Sequence, residues 1–173
     1  LGVLLAVDVG NTQTVFGVFA EGRLREHWRV ATEAERTADE VGALLDRLLE
    51  LRDLDFEEID GVCLSSTVPS LVREYETFVE RYVHAPLLVV GPGTKTGMPI
   101  LYENPKEVGA DRIVNAVAAF ERSKKTAVIV VDLGTATTFD CVSPKGEYLG
   151  GVIAPGIQIS ADALFTRAAR LPR

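Results

Sequence analysis

Two stretches of the chain carry the same chemical pattern. Leu5-Ala6-Val7-Asp8-Val9-Gly10 and Ile129-Val130-Val131-Asp132-Leu133-Gly134 are each an apolar run ending in Asp-x-Gly. Gly10 leads into Asn11, Thr12, Gln13, Thr14 and Val15, and Gly134 leads into Thr135, Ala136, Thr137 and Thr138. A glycine lets backbone amides come close to an anion, and Asn and Thr side chains add donors without adding charge. An Asp at the end of such a strand can hold Mg²⁺, usually through water, which makes Asp8 a candidate ligand. At the offset that places Asp8 on Asp132, Thr14 falls on Thr138 and Val18 on Val142. One copy alone is equally well read as an Asx-rich hairpin turn. Two copies facing each other could clamp a nucleotide between two homologous domains. The chain contains neither Gly-x-x-x-x-Gly-Lys-Ser/Thr nor a Gly-x-Gly-x-x-Gly that follows a strand, so this is a different way of holding phosphate.

Two further segments carry chemistry. Gly109-Ala110-Asp111-Arg112 lies on a predicted helix, where Asp111, Arg112 and Asn115 share one face and Ile113, Val114, Val117 and Phe120 the other. A plain solvated face explains this pattern. So does a carboxylate that accepts a proton from an attacking substrate hydroxyl, with Arg112 forked onto a substrate carboxylate. Gly150-Gly151-Val152-Ile153-Ala154-Pro155-Gly156 is a strand flanked by glycines, which allow close backbone approach, for instance by an adenine ring. Tyr102 immediately precedes the candidate catalytic helix.

The elements that must position these residues follow from periodicity and punctuation. Val3 to Val9, Thr14 to Phe19 and Leu24 to Val30 read as strands joined by tight turns, an antiparallel start. Thr37-Ala38-Asp39-Glu40 is a capping box, followed by Val41, Leu44, Leu45, Leu48 and Leu49 at helical spacing. Ile59 to Leu64 is a strand. Pro69 opens a helix with Leu71, Val72, Tyr75, Phe78, Val79 and Tyr82 inward, and Leu87 to Val90 is another strand. Gly91 to Gly97 reads as a boundary, giving domains over 1–92 and 93–173. Asn104, Pro105 and Glu107 predict a helix start, and that helix runs to about Arg122. Strands follow over Ala127 to Val131, Thr137 to Val142 and Tyr148 to Ile153, then a helix over about Ser160 to Leu171. The order β-β-β-α-β-α-β, begun again after Ala127 and incomplete there, predicts an α/β fold of two duplicated domains.

Composition bounds the function. The 173 residues are 47% apolar and 25% charged, enough to bury a core. The 18 basic and 25 acidic residues give a net charge of −7, a poor match to nucleic acid and to anionic membranes. No apolar run approaches the roughly 18 residues of a spanning helix, and Leu1 to Val9 lacks the basic flank of a signal peptide. Cys63 and Cys141 lie in apolar runs and read as buried free thiols, and His27 and His84 are isolated. These features predict a cytoplasmic protein. The chain opens on Leu and stops at Leu171-Pro172-Arg173, as a piece of a longer protein would.

The motifs, taken together, closely resemble those of the type III pantothenate kinase family, within the superfamily of acetate and sugar kinases, heat-shock chaperones and actin. Asp8-Val9-Gly10-Asn11-Thr12, continuing to Gly17, looks like the family's first phosphate motif. Gly109 to Arg112 looks like its substrate motif, Asp132 to Asp140 its second phosphate motif, and Gly150 to Gly156 its adenosine motif. The resemblance implies a ribonuclease H-like, actin-like ATPase fold and ATP-dependent phosphorylation of pantothenate, with Mg²⁺. It implies Asp111 as general base. Tyr102, Gly109, Ala110, Asp111 and Arg112 would contact pantothenate. Asp8, Val9, Gly10, Asn11, Thr12, Gln13, Thr14, Val15 and Thr135 would contact ATP. Asp132 would hold a monovalent cation, K⁺ or NH₄⁺. It also implies a homodimer. The alternatives are a regulator like the Bvg accessory factor, or another small-molecule kinase of the superfamily.

Overall fold

A computed structural model describes residues 2–91, 93–123 and 126–167. The chain divides into two compact units, Leu1–Thr94 and Lys95–Arg173.

In the first unit, β1 (Val3–Val9), β2 (Gln13–Ala20) and β3 (Arg23–Ala31) form an antiparallel meander. Glu21 and Gly22, both at positive φ (52° and 75°), make the tight turn that matches strand twist. β4 (Ile59–Ser66) adds in parallel to β1, and β5 (Leu87–Val89) adds in parallel to β4. The strand order is β3-β2-β1-β4-β5. Parallel neighbours need crossovers, supplied here by α1 (Ala38–Glu50) and α2 (Pro69–Phe78). The predicted capping box is present: the Glu40 amide donates to Thr37 Oγ1, and the Thr37 amide donates to Glu40 Oε2 at 2.8 Å. Leu5, Val7, Val9, Phe16 and Val18 of the sheet pack with Val41, Leu45 and Leu49 of α1 and Leu71, Tyr75 and Phe78 of α2. Each large apolar side chain so buried is worth roughly 1.5–3 kcal/mol. Strand alternation then dictates the rest. Because Val7 and Val9 face this core, Asp8 between them faces the opposite side and is exposed.

In the second unit, β6 (Val128–Leu133), β7 (Ala136–Val142) and β8 (Tyr148–Pro155) repeat the meander, in the order β6-β7-β8. α3 (Ala110–Arg122) packs on one face through Ile113, Ala116 and Phe120, with Val108, Met98, Val142 and Tyr148. The other face shows Ile129, Val131, Leu133, Phe139 and Val152, all exposed. Their counterparts in the first meander, including Leu5, Val7, Val9 and Phe16, are the ones under α1 and α2.

Several expectations need correction. The repeat does not run at constant offset. Val9 pairs with Thr14 to close the first hairpin, but Leu133 pairs with Thr137 to close the second. The second turn is one residue shorter, so Thr138, opposite Asp132, takes the place of Val15 and not of Thr14. Val142 likewise takes the place of Phe19 and not of Val18. The helix expected from Asn104 is two elements. Pro105–Glu107 is a single 3-10 turn, and the Asn104 amide donates to the Glu107 carboxylate at 2.7 Å instead of capping backbone. Val108 is extended (ψ 118°) because its side chain is drawn into the core, and the extended Gly109 becomes the N-cap of α3. The last helix, α4 (Ile157–Arg167), begins earlier than expected, and the expected end at Leu171 lies outside the described residues. The free thiols Cys63 and Cys141 are half-buried, not buried, since each alternates along its strand with buried neighbours (Val62 and Leu64, Asp140 and Val142) and so faces the other side of its sheet.

Candidate active site

The first phosphate-type turn is built by the end of β1. The Gly10 amide donates to the Gln13 carbonyl at 3.0 Å, which folds Asn11, Thr12 and Gln13 outward, all exposed. A side chain on Gly10 would approach that same carbonyl at 3.0 Å, so glycine keeps the turn free of a tight contact. Val9 is buried, and its carbonyl accepts from both the amide and the hydroxyl of Thr67, so it serves as an anchor. Thr14 turns into the core, where its hydroxyl pairs with that of Thr32 at 2.8 Å. Thr14 therefore contributes backbone, not a hydroxyl, to the turn, and Val15 lies half-buried on the Asp8 side of β2.

The second turn is tighter. The Gly134 amide donates to the Ala136 carbonyl at 3.0 Å, and Thr135 is exposed at its tip. Asp132 is exposed on the α3 side of β6, where its Oδ2 accepts from the Asn115 amide at 3.1 Å. Gly156 packs against this turn. Its amide donates to the Thr135 carbonyl at 3.1 Å, and a Cβ there would collide with the carbonyl oxygens of Gly134 and Thr135.

Gly109-Ala110-Asp111-Arg112 occupies the start of α3, with Asp111 in the first turn. Ala110 is buried and anchors the turn, while Asp111 and Arg112 are half-buried beside it. The Asp111 carboxylate folds back over the Gly109 Cα, where any Cβ would collide with its Oδ1. Gly109 thus does two jobs: it caps α3 and makes room for the candidate base.

Arg112 and Asp140 meet across α3 and β7. Arg112 Nε donates to Asp140 Oδ1 at 2.8 Å, and Tyr148 donates its hydroxyl to the same oxygen at 2.5 Å. Arg112 Nη2 also lies 2.5 Å from that oxygen, yet out of line for a hydrogen bond, and is buried with no hydrogen-bond partner among the described residues. Asp140 and Tyr148 are buried, and only 12% of the Arg112 side chain is exposed. Burial pulls the Arg112 guanidinium down, but the hydrogen bond and charge of Asp140 outweigh it, and the net shift is upward. Burial, followed by Asp140, holds the Tyr148 hydroxyl far above its usual range. Arg112 therefore stays a cation and Tyr148 a neutral donor.

Sequence reasoning missed Thr32, Tyr148 and the role of Asp140. The available signal was an Asp on the inward side of a strand, between Thr138 and Val142, which a buried partner cation had to explain.

The actin-like ATPase fold follows from the repeated meander with its crossovers, and solved structures agree. The ethanolamine utilization protein EutJ of Carboxydothermus hydrogenoformans matches 96% of this chain and 57% of its own, with a TM-score of 0.55 at 16% identity, which shows the fold alone. The family model of type III pantothenate kinase matches residues 4–173, and the chain belongs to that family. The type III pantothenate kinase of Myxococcus xanthus is 58% identical over 171 residues, covering 99% of this chain and 66% of the relative. That of Moorella thermoacetica is 57% identical, covering 99% and 67%. The chain spans about two thirds of the length of these curated relatives.

Proposed function

We propose that the whole protein transfers the γ-phosphoryl group of ATP to the primary hydroxyl of pantothenate, giving 4′-phosphopantothenate, the first step of coenzyme A biosynthesis. The observation that carries this reading is Asp111, set in the first turn of α3 beside a charged Arg112, in a chain of this family.

The residues divide the work by chemistry. Arg112 meets the pantothenate carboxylate with the part of its guanidinium that Asp140 leaves open, and Tyr102 lies against the acceptor. The Asp111 carboxylate accepts the hydroxyl proton as the new O–P bond forms. The bond from the γ-phosphorus to its bridging oxygen breaks, and ADP leaves. Little covalent work falls to the protein, so positioning and fixed donors dominate the rate. Of the run from Asp8 to Val15, the exposed Asn11, Thr12 and Gln13 supply those donors to the phosphates, with Thr135 from the second turn, while Val9, Gly10, Thr14 and Val15 shape the strand ends that carry them. The oxygen donors of Asp8 and Asp132, exposed at strand ends, suit hard cations. Asp8 would hold Mg²⁺ through water, and Asp132, with Asn115 beside it, K⁺ or NH₄⁺. Mg²⁺ bound with ATP supplies charge neutralisation on the phosphates.

The remaining parts of this reading are two actin-like domains over 1–92 and 93–173, a homodimer, and work in the cytoplasm, where ATP is available. Among the described residues no helix is long and apolar enough to cross a membrane. A regulator that contacts DNA directly is disfavoured by the net charge of −7. A panel of hydroxyl acceptors at fixed ATP tests the choice of substrate. Turnover confined to pantothenate supports this reading, and preference for a sugar or acetate overturns it.

A further inference from the structure

The Gly150-Gly151 step does not behave as one piece with the rest of its motif. Gly156 packs on the Gly134–Thr135 turn, but Gly150 and Gly151 pack on Tyr102 and Arg112. Gly150 has φ +128°, a conformation that side chains rarely adopt, and a Cβ there would stand 3.1 Å from the Tyr102 ring. A Cβ on Gly151 would stand 2.5 Å from Arg112 Nη2 and 2.6 Å from Asp140 Oδ1, and would collide with the Phe139 carbonyl. The bare backbone at 150 and 151 is thus the surface on which a tyrosine ring and a guanidinium rest.

Asp140 is the other half of this arrangement. One of its oxygens takes the Arg112 Nε hydrogen and the Tyr148 hydroxyl hydrogen together. Two donors on one oxygen fix the carboxylate, and the carboxylate fixes the plane of the guanidinium. Nη2 lies 2.5 Å from the same Asp140 oxygen, so one edge of the guanidinium is held against the protein's own carboxylate. A guanidinium has five N–H donors, and the 12% of the side chain that stays open is what a ligand carboxylate can meet.

We propose that Asp140 is a positioning residue for the acceptor substrate: with Tyr148 behind it and Gly151 giving room, it sets Arg112 to meet the acceptor's carboxylate. The inference rests on the kinase reading. It assigns Gly150 and Gly151 to the acceptor side of the site and only the far end of their motif to the phosphate side.

The test is steady-state kinetics of the whole protein and of its Asp140→Asn, Gly151→Ala and Tyr148→Phe variants. Asp140→Asn and Gly151→Ala should raise the pantothenate KM by about tenfold or more, with the ATP KM held within about twofold. Tyr148→Phe should give a smaller split of the same sign. Should the first two variants fail to fold by circular dichroism, Tyr148→Phe, which removes one oxygen, decides. A merely structural role would move both KM values together, whatever the loss in Tm, and that outcome overturns the inference. So does an unchanged pantothenate KM in a folded variant. Wild-type protein without pantothenate-dependent turnover overturns the kinase reading and this inference with it. Wild-type turnover with no split in the variants overturns this inference alone.

Discussion

Arg112 on α3 and Asp140 on β7 are 28 residues apart and share a 2.8 Å hydrogen bond that only 12% of the Arg112 side chain leaves open to solvent. A buried pair of this kind gains little net stability over an apolar substitute, but leaving one charge without the other is costly, about 3–5 kcal/mol. Arg112→Met should therefore destabilise the protein strongly, because it strands the Asp140 carboxylate. The double change Arg112→Met with Asp140→Leu should recover part of that loss. Urea unfolding of the three proteins measures it, and additive losses would mean that the pair does not couple.

Asp111 is the proposed base, and its charge acts on the neighbouring Arg112 less than that of Asp140 does. Asp111→Asn should lower kcat by about 10²–10⁴-fold and leave ATP affinity nearly unchanged. Single-turnover kinetics and nucleotide titration read the two effects separately. Near-normal turnover in the variant would remove Asp111 from the role.

Gly156 and Gly151 make opposite predictions from one motif. A methyl at Gly156 meets the carbonyls of the Gly134–Thr135 turn, so Gly156→Ala should raise the ATP KM more than the pantothenate KM. Parallel changes of both constants in both variants would contradict the division of the motif.

How much of this was legible beforehand depends on the kind of signal. The capping box at Thr37 and the core stripe of α1 could be read because each is local. The Thr37 hydroxyl and Glu40 carboxylate find each other within one turn, and Val41, Leu45 and Leu49 repeat at the helical period. The start of α3 could not be read this way. Asn104 and Pro105 are a proper start signal, but the burial of Val108 in the cluster that includes Val142 and Tyr148 overrides it, and that cluster is non-local. The repeat was visible in Asp8 and Asp132, while the one-residue difference between the turns was not, since only strand pairing reveals register. At the candidate site, type and spacing left Asp111 and Arg112 open to a solvated-face reading, and it was the resemblance of Gly109 to Arg112 to the family's motif that singled them out. Asp140 and Tyr148 did not stand out, because their meaning comes from a partner on another element.

The Thr37 cap gives a pH-dependent test. The Thr37 amide, followed by its hydroxyl, holds the Glu40 carboxyl below its ordinary range. A group whose pKa is lower folded than unfolded adds stability at pH above the unfolded value and loses it as pH falls through the folded one. Thr37→Ala removes an N-cap, which costs about 1 kcal/mol. Urea midpoints should therefore separate the variant from wild type most clearly at neutral pH, and the gap should narrow in acid. A gap that widens in acid would reverse the sign of this account.

Asp132 provides the cation prediction. If its carboxylate holds K⁺ or NH₄⁺ as proposed, wild-type activity should fall when K⁺ is replaced by Na⁺. Asp132→Asn should be slow in both and respond little to the exchange. A K⁺ response that survives the substitution would place the cation elsewhere.

The central claim is tested most directly by ADP release from the whole protein with Mg²⁺ and ATP, measured with and without pantothenate. The account predicts release that needs pantothenate and matches the 4′-phosphopantothenate formed. A folded sample whose ADP release is the same without pantothenate would contradict it.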